Sequence, residues 1–466
     1  MKKLLIFGLA ALLTLAFGSA YAQTEFKASG FLDAEYVLGR NIRSGDVRFA
    51  FGAAPPAGFD KSLSFIRSRG RLMFNLNVGK ELSGTIFFEI DADPYGSGPG
   101  SNSAGSLQRG VAGYWGADRS AVEVKWLFFD VAVPVIPIPI TVRIGEQGWG
   151  PRGSVFSGDG AGISAGIKLD PIYINPLWAK ALEGSLTNAD DSDMYGLNVN
   201  AKIGKLTVGG FGLYYNFNSY PLSFNSATGA FTGNQKANFW YLGAYTDGKV
   251  GPVNINFDFA FEKGRVNPLN ADKLKYKGWI TKLNVDYPWN KFNFGGGVYY
   301  ATGDDKNKTP EGKFNGYVIP PGSESVGGFG ESLILYGSGD ALPSGGLGII
   351  NAGSTSFANM GAGGTWWAKV QAKAQVTPAY SVQAKLFYIG DTTKNGNTWG
   401  TLPDDKKFVG WEFDLINTIQ VYKNLKWTIA GGVMGVGDAL KFVDGDGNVR
   451  KPKTPWTIHG NLMYNF

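Results

Sequence analysis

Short and long connections alternate along this chain of 466 residues, and few folds tolerate that rhythm. Tight links fall near Gly79–Ser83, Pro134–Pro139, Asp170–Pro171, Gly204–Lys205, Gly248–Pro252, Pro288–Lys291, Thr377–Ala379 and Lys423–Asn424. Between them lie longer polar stretches near 39–61, 93–120, 148–160, 183–192, 218–235, 263–275, 302–363, 391–407 and 438–454. The segments they bound alternate apolar with polar residues. Residues 253–261 set Val253, Ile255, Phe257, Phe259 and Phe261 against Asn254, Asn256 and Asp258. Residues 366–376 set Trp366, Ala368, Val370, Ala372, Ala374 and Val376 against Trp367, Lys369, Gln371, Lys373 and Gln375. In 409–421, Val409, Trp411, Phe413, Leu415, Ile419 and Val421 oppose Glu412, Asp414, Thr418 and Gln420. A period of two marks a strand with one apolar face. A soluble sheet would not need so many strands of this length, nor short turns at one end only. A transmembrane antiparallel β-barrel, with short periplasmic turns and long external loops, needs both.

The count is 18 candidate strands, an even number that leaves both ends on the short-turn side. Pairing of the first strand (26–38) with the last then leaves no open edge. The weakest pair is 161–169 and 172–182, where Pro171 and Pro176 interrupt a poor alternation; without it the count falls to 16. Either size encloses an aqueous lumen.

Residues 1–22 have the anatomy of a secretory leader: Lys2 and Lys3, an apolar run from Leu4 to Phe17, and Ala20-Tyr21-Ala22 as cleavage site. The barrel is then 23–466 and forms one domain. The formal net charge of +6 is dispersed and the chain is exported, so nucleic acid is not an expected partner. Zero cysteines exclude thiol chemistry. With 68 Gly, 32 Phe and 21 Tyr, the composition suits an alternating barrel better than a soluble domain of this size. Tyr36, Trp279, Tyr287, Trp289, Tyr300, Trp411 and Trp427 fall near strand ends, where interfacial belts would place them.

The last residues place Trp456, Ile458, Gly460, Leu462, Tyr464 and Phe466 on one strand face. A final strand ending in Tyr-x-Phe resembles the terminal strand of bacterial outer-membrane barrels, in which Leu462, Tyr464 and Phe466 would be the address for the barrel-assembly machinery. Phe128 to Trp149 carry a second likeness. A strand to Val133, a Pro-rich turn, then Ile140 to Gln147 and a Gly-rich loop resemble the Gram-negative porin family, with Gly145-Glu146-Gln147 where the family has Gly-Arg-Gln. The resemblance implies a channel for small hydrophilic solutes or ions in outer-membrane lipid, commonly a homotrimer. It also makes Trp149 and Arg152, at the loop 148–160, the constriction candidates.

The face opposite the apolar one looks into the lumen. In the second strand (62–78) it carries Arg67, Arg69 and Arg71, a column with about 7 Å between rungs. Arg143 on 140–147 faces the same way, as do Lys369, Lys373 and Lys385 on the hairpin 366–389. Fixed positive charge selects anions in a pore. Yet 84–92 brings Glu89 and Asp91 to the same wall, with Asp33 and Glu35 on the first strand. Three readings stay open: anion selection, cross-strand pairs that brace the wall, and a transverse field across a general pore. The stretch 302–363 is long enough to be functional, and its segment Glu331 to Tyr336 is a candidate inserted strand or helix.

Other classes leave weaker traces. An exporter of an anionic polysaccharide, resembling alginate-export barrels, would show a continuous basic track. A structural sheath for a periplasmic partner would have a wide, empty lumen. His459, the lone histidine, faces inward, but no serine is marked out for a lipid hydrolase. Asp444-Gly-Asp-Gly-Asn448 begins like a calcium loop yet has Val449 and Pro455 where Gly and Glu belong. Asp190, Asp191 and Asp193 form a comparable acidic loop. No cofactor or metal site is expected.

Overall fold

The computed structural model describes residues 24–41, 62–92, 95, 121–134, 137–152, 155–183, 191–220, 224–225, 230–231, 235–268, 271–320, 323, 331–335, 363–398, 402, 404–443 and 446–466. The expected leader 1–22, Asp190, Tyr336 and Asp444 lie outside them. The long strands are β1 (Thr24–Arg40), β2 (Ser62–Val78), β3 (Leu82–Ala92), β4 (Ala121–Ala132), β5 (Ile140–Trp149), β6 (Gly158–Leu169), β7 (Ile172–Leu182), β8 (Ser192–Ile203) and β9 (Leu206–Tyr220). They continue as β10 (Gln235–Val250), β11 (Val253–Asn267), β12 (Leu274–Trp289), β13 (Phe292–Ala301), β14 (Thr365–Thr377), β15 (Tyr380–Asp391), β16 (Phe408–Tyr422), β17 (Leu425–Val436) and β18 (Trp456–Asn465). Each pairs antiparallel with its neighbour in sequence. The circle closes where β1 meets β18, in a register running from Phe31↔Asn465 to Arg40↔Trp456. Gly30 N–H donates to the Phe466 carbonyl at 3.0 Å, and the return bond is 3.1 Å. The result is a closed barrel of 18 strands.

Closure satisfies every ladder without water, which is what lets such a wall stand in lipid. Its outer face is apolar: Phe26, Leu32, Leu76, Val122, Leu127, Leu242, Val298, Val370 and Leu386 are all exposed there. Aromatic residues ring both margins. Toward the loops, Tyr195, Tyr214 and Trp240 stack in sequence across β8, β9 and β10 at 6.3 and 4.2 Å, and Trp279 stacks on Tyr300 at 4.9 Å. Toward the turns, Trp289 and Phe294 lie 6.4 Å apart and Tyr464 stacks on Phe466 at 5.8 Å. An arginine placed mid-depth on this face would cost about 2–4 kcal/mol.

The doubtful pair spans, so the reduced count does not apply. Pro176 has no N–H to offer and stands where the β6–β7 ladder breaks, between Ser164↔Leu177 and Ile167↔Ile174. The Asn175 side-chain amide donates to the orphaned Ala165 carbonyl at 2.9 Å and repairs the gap. The turns are as tight as expected: Gly204 at φ 61° and Asn290 at φ 52° supply the left-handed residue that a two-residue hairpin needs.

Some strand ends and one face differ from the expectation. β1 is longer at both ends. β5 and β6 extend toward each other, so Trp149 sits on a strand and the loop shrinks to 150–157. Val409, assigned to the apolar face, is 1% exposed inside, because a bulge opposite Ile389 and Gly390 shifts the alternation by one residue.

Candidate functional site: the lumen wall and two inward segments

On one side of the lumen, β1 to β5 form a wall of paired charges. Antiparallel register sets Glu35 opposite Arg67, Asp33 opposite Arg69, and Glu89 opposite Arg71. The side chains use those positions. Arg67 Nε donates to Glu35 Oε2 at 2.6 Å, and the Arg69 backbone N–H to Asp33 Oδ1 at 3.0 Å. Glu89 takes Arg71 at 2.5 Å, lies 3.6 Å from Arg69 and 4.0 Å from Lys125. Asp91 enters through its backbone, in register with Arg69. Lys125 is the extra residue of a bulge in β4, which turns it inward beside Trp126. It reaches Asp159 at 3.0 Å, and the Trp126 indole donates to the same carboxylate at 2.6 Å. Arg143 makes a two-pronged pair with Asp130 at 2.8 and 2.9 Å, its guanidinium 3.9 Å above Phe128.

Two of the pairs are lopsided. The Arg71 side chain is 30% exposed and its partner Glu89 1%; Arg143 is 38% exposed and Asp130 20%. Lys125 reverses the order, 7% exposed against 20% for Asp159 and 35% for Glu123.

Across the barrel the wall is organised by loop segments that turn inward. The loop between β13 and β14 first lays Lys313–Phe314 parallel to β12, with Phe314 stacked on Tyr276 at 4.9 Å. It then drives Tyr317 against Tyr241, while Val318 N–H donates to Glu262 at 2.9 Å. Residues 331–335 dock last. Glu331 pairs with Lys282 at 2.7 Å and with Lys369, accepts from Asn284 at 2.6 Å, and gives its carbonyl to Lys385 at 2.9 Å. Burial opposes the Glu331 charge, but the two ammonium groups outweigh it and hold the carboxyl at about 2, against an ordinary 4.5. Ser332 Oγ and the Ile334 and Leu335 N–H groups all donate to Glu412, at 2.8, 2.8 and 3.1 Å, and Leu333 N–H donates to Asp414 at 3.1 Å. The segment is therefore a run of bends clasping two carboxylates, not the short strand or helix expected. Its three apolar side chains are fully buried.

The loop 150–157 is the second inward segment. Arg152 crosses to Asp258 at 2.5 Å and also pairs with Asp247, its guanidinium 4.6 Å over Tyr245. Burial works against the Arg152 charge, and the two carboxylates more than restore it. Trp149 is buried at the base of this loop, its indole donating to the Gly160 carbonyl at 3.0 Å. The two segments touch where Ser157 N–H meets Ser323 Oγ at 3.3 Å.

Lys373 is exposed toward the turn side, with no carboxylate in ion-pair range among the described residues. Leu462, Tyr464 and Phe466 face outward. His459 is 1% exposed on the inner face, and neither ring nitrogen has a hydrogen-bond partner among the described residues. Asp191 and Asp193 bracket the Lys180 ammonium at 2.6 and 3.9 Å.

Comparison with known proteins places this architecture. No family model and no curated protein matches the chain. Solved structures do. OccK8 (OprE) of Pseudomonas aeruginosa superposes with TM-score 0.54 at 11% identity, over 96% of this chain and 99% of its own. OccAB2 of Acinetobacter baumannii gives 0.54 at 12%, over 94% and 98%. A BenF-like porin from Pseudomonas fluorescens gives 0.54 at 9%, over 96% and 100%. The chain has the porin-type barrel fold. In this barrel, the docking partners Glu412, Asp414, Asp247 and Asp258 escaped the sequence reading. Each is an ordinary inward acid by alternation, and only the path of a loop singles it out.

Proposed function

We propose that this barrel is an outer-membrane channel through which small hydrophilic solutes or ions diffuse passively, with a preference for anions. The observation that carries the preference is the lopsided exposure of the Arg71–Glu89 and Arg143–Asp130 pairs, in which the guanidinium is the more exposed partner. A field of that sign attracts anions and repels cations. The inward segments supply the narrowing: 331–335 fixed to β12, β14, β15 and β16, and 150–157 fixed to β10 and β11. The folds it resembles belong to porins, which are channels rather than enzymes.

The rival readings fit less well. Carboxylates of Glu35 and Glu89 break the arginine column into discrete pairs, so it is not the continuous track an exported polyanion would follow. The inward segments bind into the lumen wall, in the space a sheath would keep for its partner. Leu462, Tyr464 and Phe466 remain the proposed assembly signal, and the homotrimer the proposed assembly.

The test is conductance of the refolded protein in planar bilayers, with the reversal potential read under a salt gradient. Anion preference that collapses in Arg67→Ala/Arg69→Ala/Arg71→Ala would make the column a selectivity element. A preference unmoved by that triple change would reduce the column to wall bracing, and a silent bilayer would remove the channel reading.

A further inference from the structure

The two mouths of the barrel carry their lysines differently. In the loops, acids of the same loop hold them: Lys308 by Asp305 at 3.7 Å, Lys441 by Asp438 at 3.3 Å, and Lys180 by Glu183 and Asp191 at 3.1 and 2.6 Å. At the turn side the lysines stand apart. Lys168, Lys202, Lys249, Lys373 and Lys426 lie near the turn-side ends of β6, β8, β10, β14 and β17. Leu169, Ile203, Val250, Val376 and Trp427 face lipid on the same strands, so alternation points these lysines into the lumen. None has a carboxylate in ion-pair range among the described residues. The inward acids nearest this level are already engaged: Glu25 by Lys27 at 3.1 Å, Asp130 by Arg143, Asp247 by Arg152, and Asp286 by the Gln371 amide at 2.7 Å. Below the mouth, Lys205, Lys291 and Lys423 stand exposed in two-residue turns, and Glu81 and Asp170 are the acids of the remaining turns.

The spacing decides what such a ring can hold. Neighbouring strands are about 4.8 Å apart, so lysines two to four strands apart are separated by roughly 10–20 Å along the wall. At physiological salt a charge is felt over about 8 Å. A small anion at this mouth therefore meets one lysine at a time. An extended chain bearing an acid every ~3.5 Å meets several together and sums their effects.

We propose that the turn-side mouth binds a polyanionic chain, either a soluble polycarboxylate or the acidic strands of the cell wall. Ammonium groups on flexible stems suit a repeating partner. The ring surrounds an opening, so it offers a folded protein no apolar centre on which to seat. The inference rests on the outer-membrane reading, which puts this mouth in the periplasm, but binding is measured without conductance.

Fluorescent poly-L-glutamate would be titrated into the full-length protein in mild detergent, and its anisotropy followed across a salt series. Affinity should fall as salt rises, and weaken roughly twofold to fivefold for each lysine removed in Lys168→Gln, Lys202→Gln, Lys249→Gln and Lys426→Gln. The loop variants Lys308→Gln and Lys441→Gln should bind as the parent does. Equal loss in the loop variants, no loss in the turn-side ones, or equal competition by free glutamate at the same residue concentration overturns the proposal. In planar bilayers the polymer should lower the current from the turn side only, and block from both sides would overturn it too. Polymer binding with a silent bilayer would remove the channel reading and leave this one standing. Purified cell-wall sheets tell the two sources apart. Lysine-dependent pelleting with native sheets, lost when their carboxyls are amidated, assigns the chain to the wall; no pelleting assigns it to a soluble polymer.

Discussion

Arg67, Arg69 and Arg71 find their carboxylates on adjoining strands, whereas Lys282 and Lys369 find theirs on a loop that has left the wall and come back to it. The chemistry is the same and the construction is not. In the first case register alone sets the distances, and each pair is a rung between neighbours. In the second the acid arrives from elsewhere, brings four more hydrogen-bond donors with it, and buries Leu333, Ile334 and Leu335 as it docks. The difference teaches that one lumen can hold charge for two ends: to shape a field, and to tether a piece of chain.

The sharpest way to separate them is Glu331→Gln. Two ammonium groups would then be left buried without their carboxylate, a loss of roughly 3–5 kcal/mol for a broken buried pair. We expect the segment to undock, with larger and noisier single-channel steps and faster proteolysis of 302–363. Unaltered steps would place the narrowing elsewhere. Next in size is Glu89→Gln, which strips the carboxylate shared by Arg69, Arg71 and Lys125. Stability should fall by about 2–4 kcal/mol, and the reversal potential should shift toward stronger anion preference with step size unchanged. A shift toward cations would contradict the assigned field. Acid probes the tether without a substitution. The docked Glu331 carboxyl lies at about 2 and a free one near 4.5, so its contribution is whole above pH 4.5 and drains away as the pH falls toward 2. Current noise should therefore match at pH 7 and pH 5 and grow below; growth between pH 7 and pH 5 would point to another group. The smallest effect belongs to Lys373→Ala, which removes an exposed cation and should move the reversal potential slightly while stability stays within about 0.5 kcal/mol.

How much of this the amino-acid order discloses follows from the same contrast. Alternation located the strands, and the rhythm of connections located the turns, because both depend on near neighbours. The tight turn between β2 and β3 leaves one register, so Glu89 and Asp91 were legible on the wall of the arginines, while the choice of Glu89 as the partner of Arg71 was not. The bulges at Lys125 and Val409 were not legible, since one added residue flips a face without changing composition. The docking of Glu331 was less visible still. Nothing near residue 331 in sequence indicates that its neighbours in space are Lys282, Lys369 and Glu412. Pro176 misled in the other direction, because the side-chain amide of the residue before it mends the ladder it breaks.

Glu412 and Asp414 lie about eighty residues beyond the segment they hold. The segment can therefore dock only where β16 already stands in the wall. Narrowing waits on barrel closure, and a ring in which the segment has not yet docked would hold a wider aperture than the finished one.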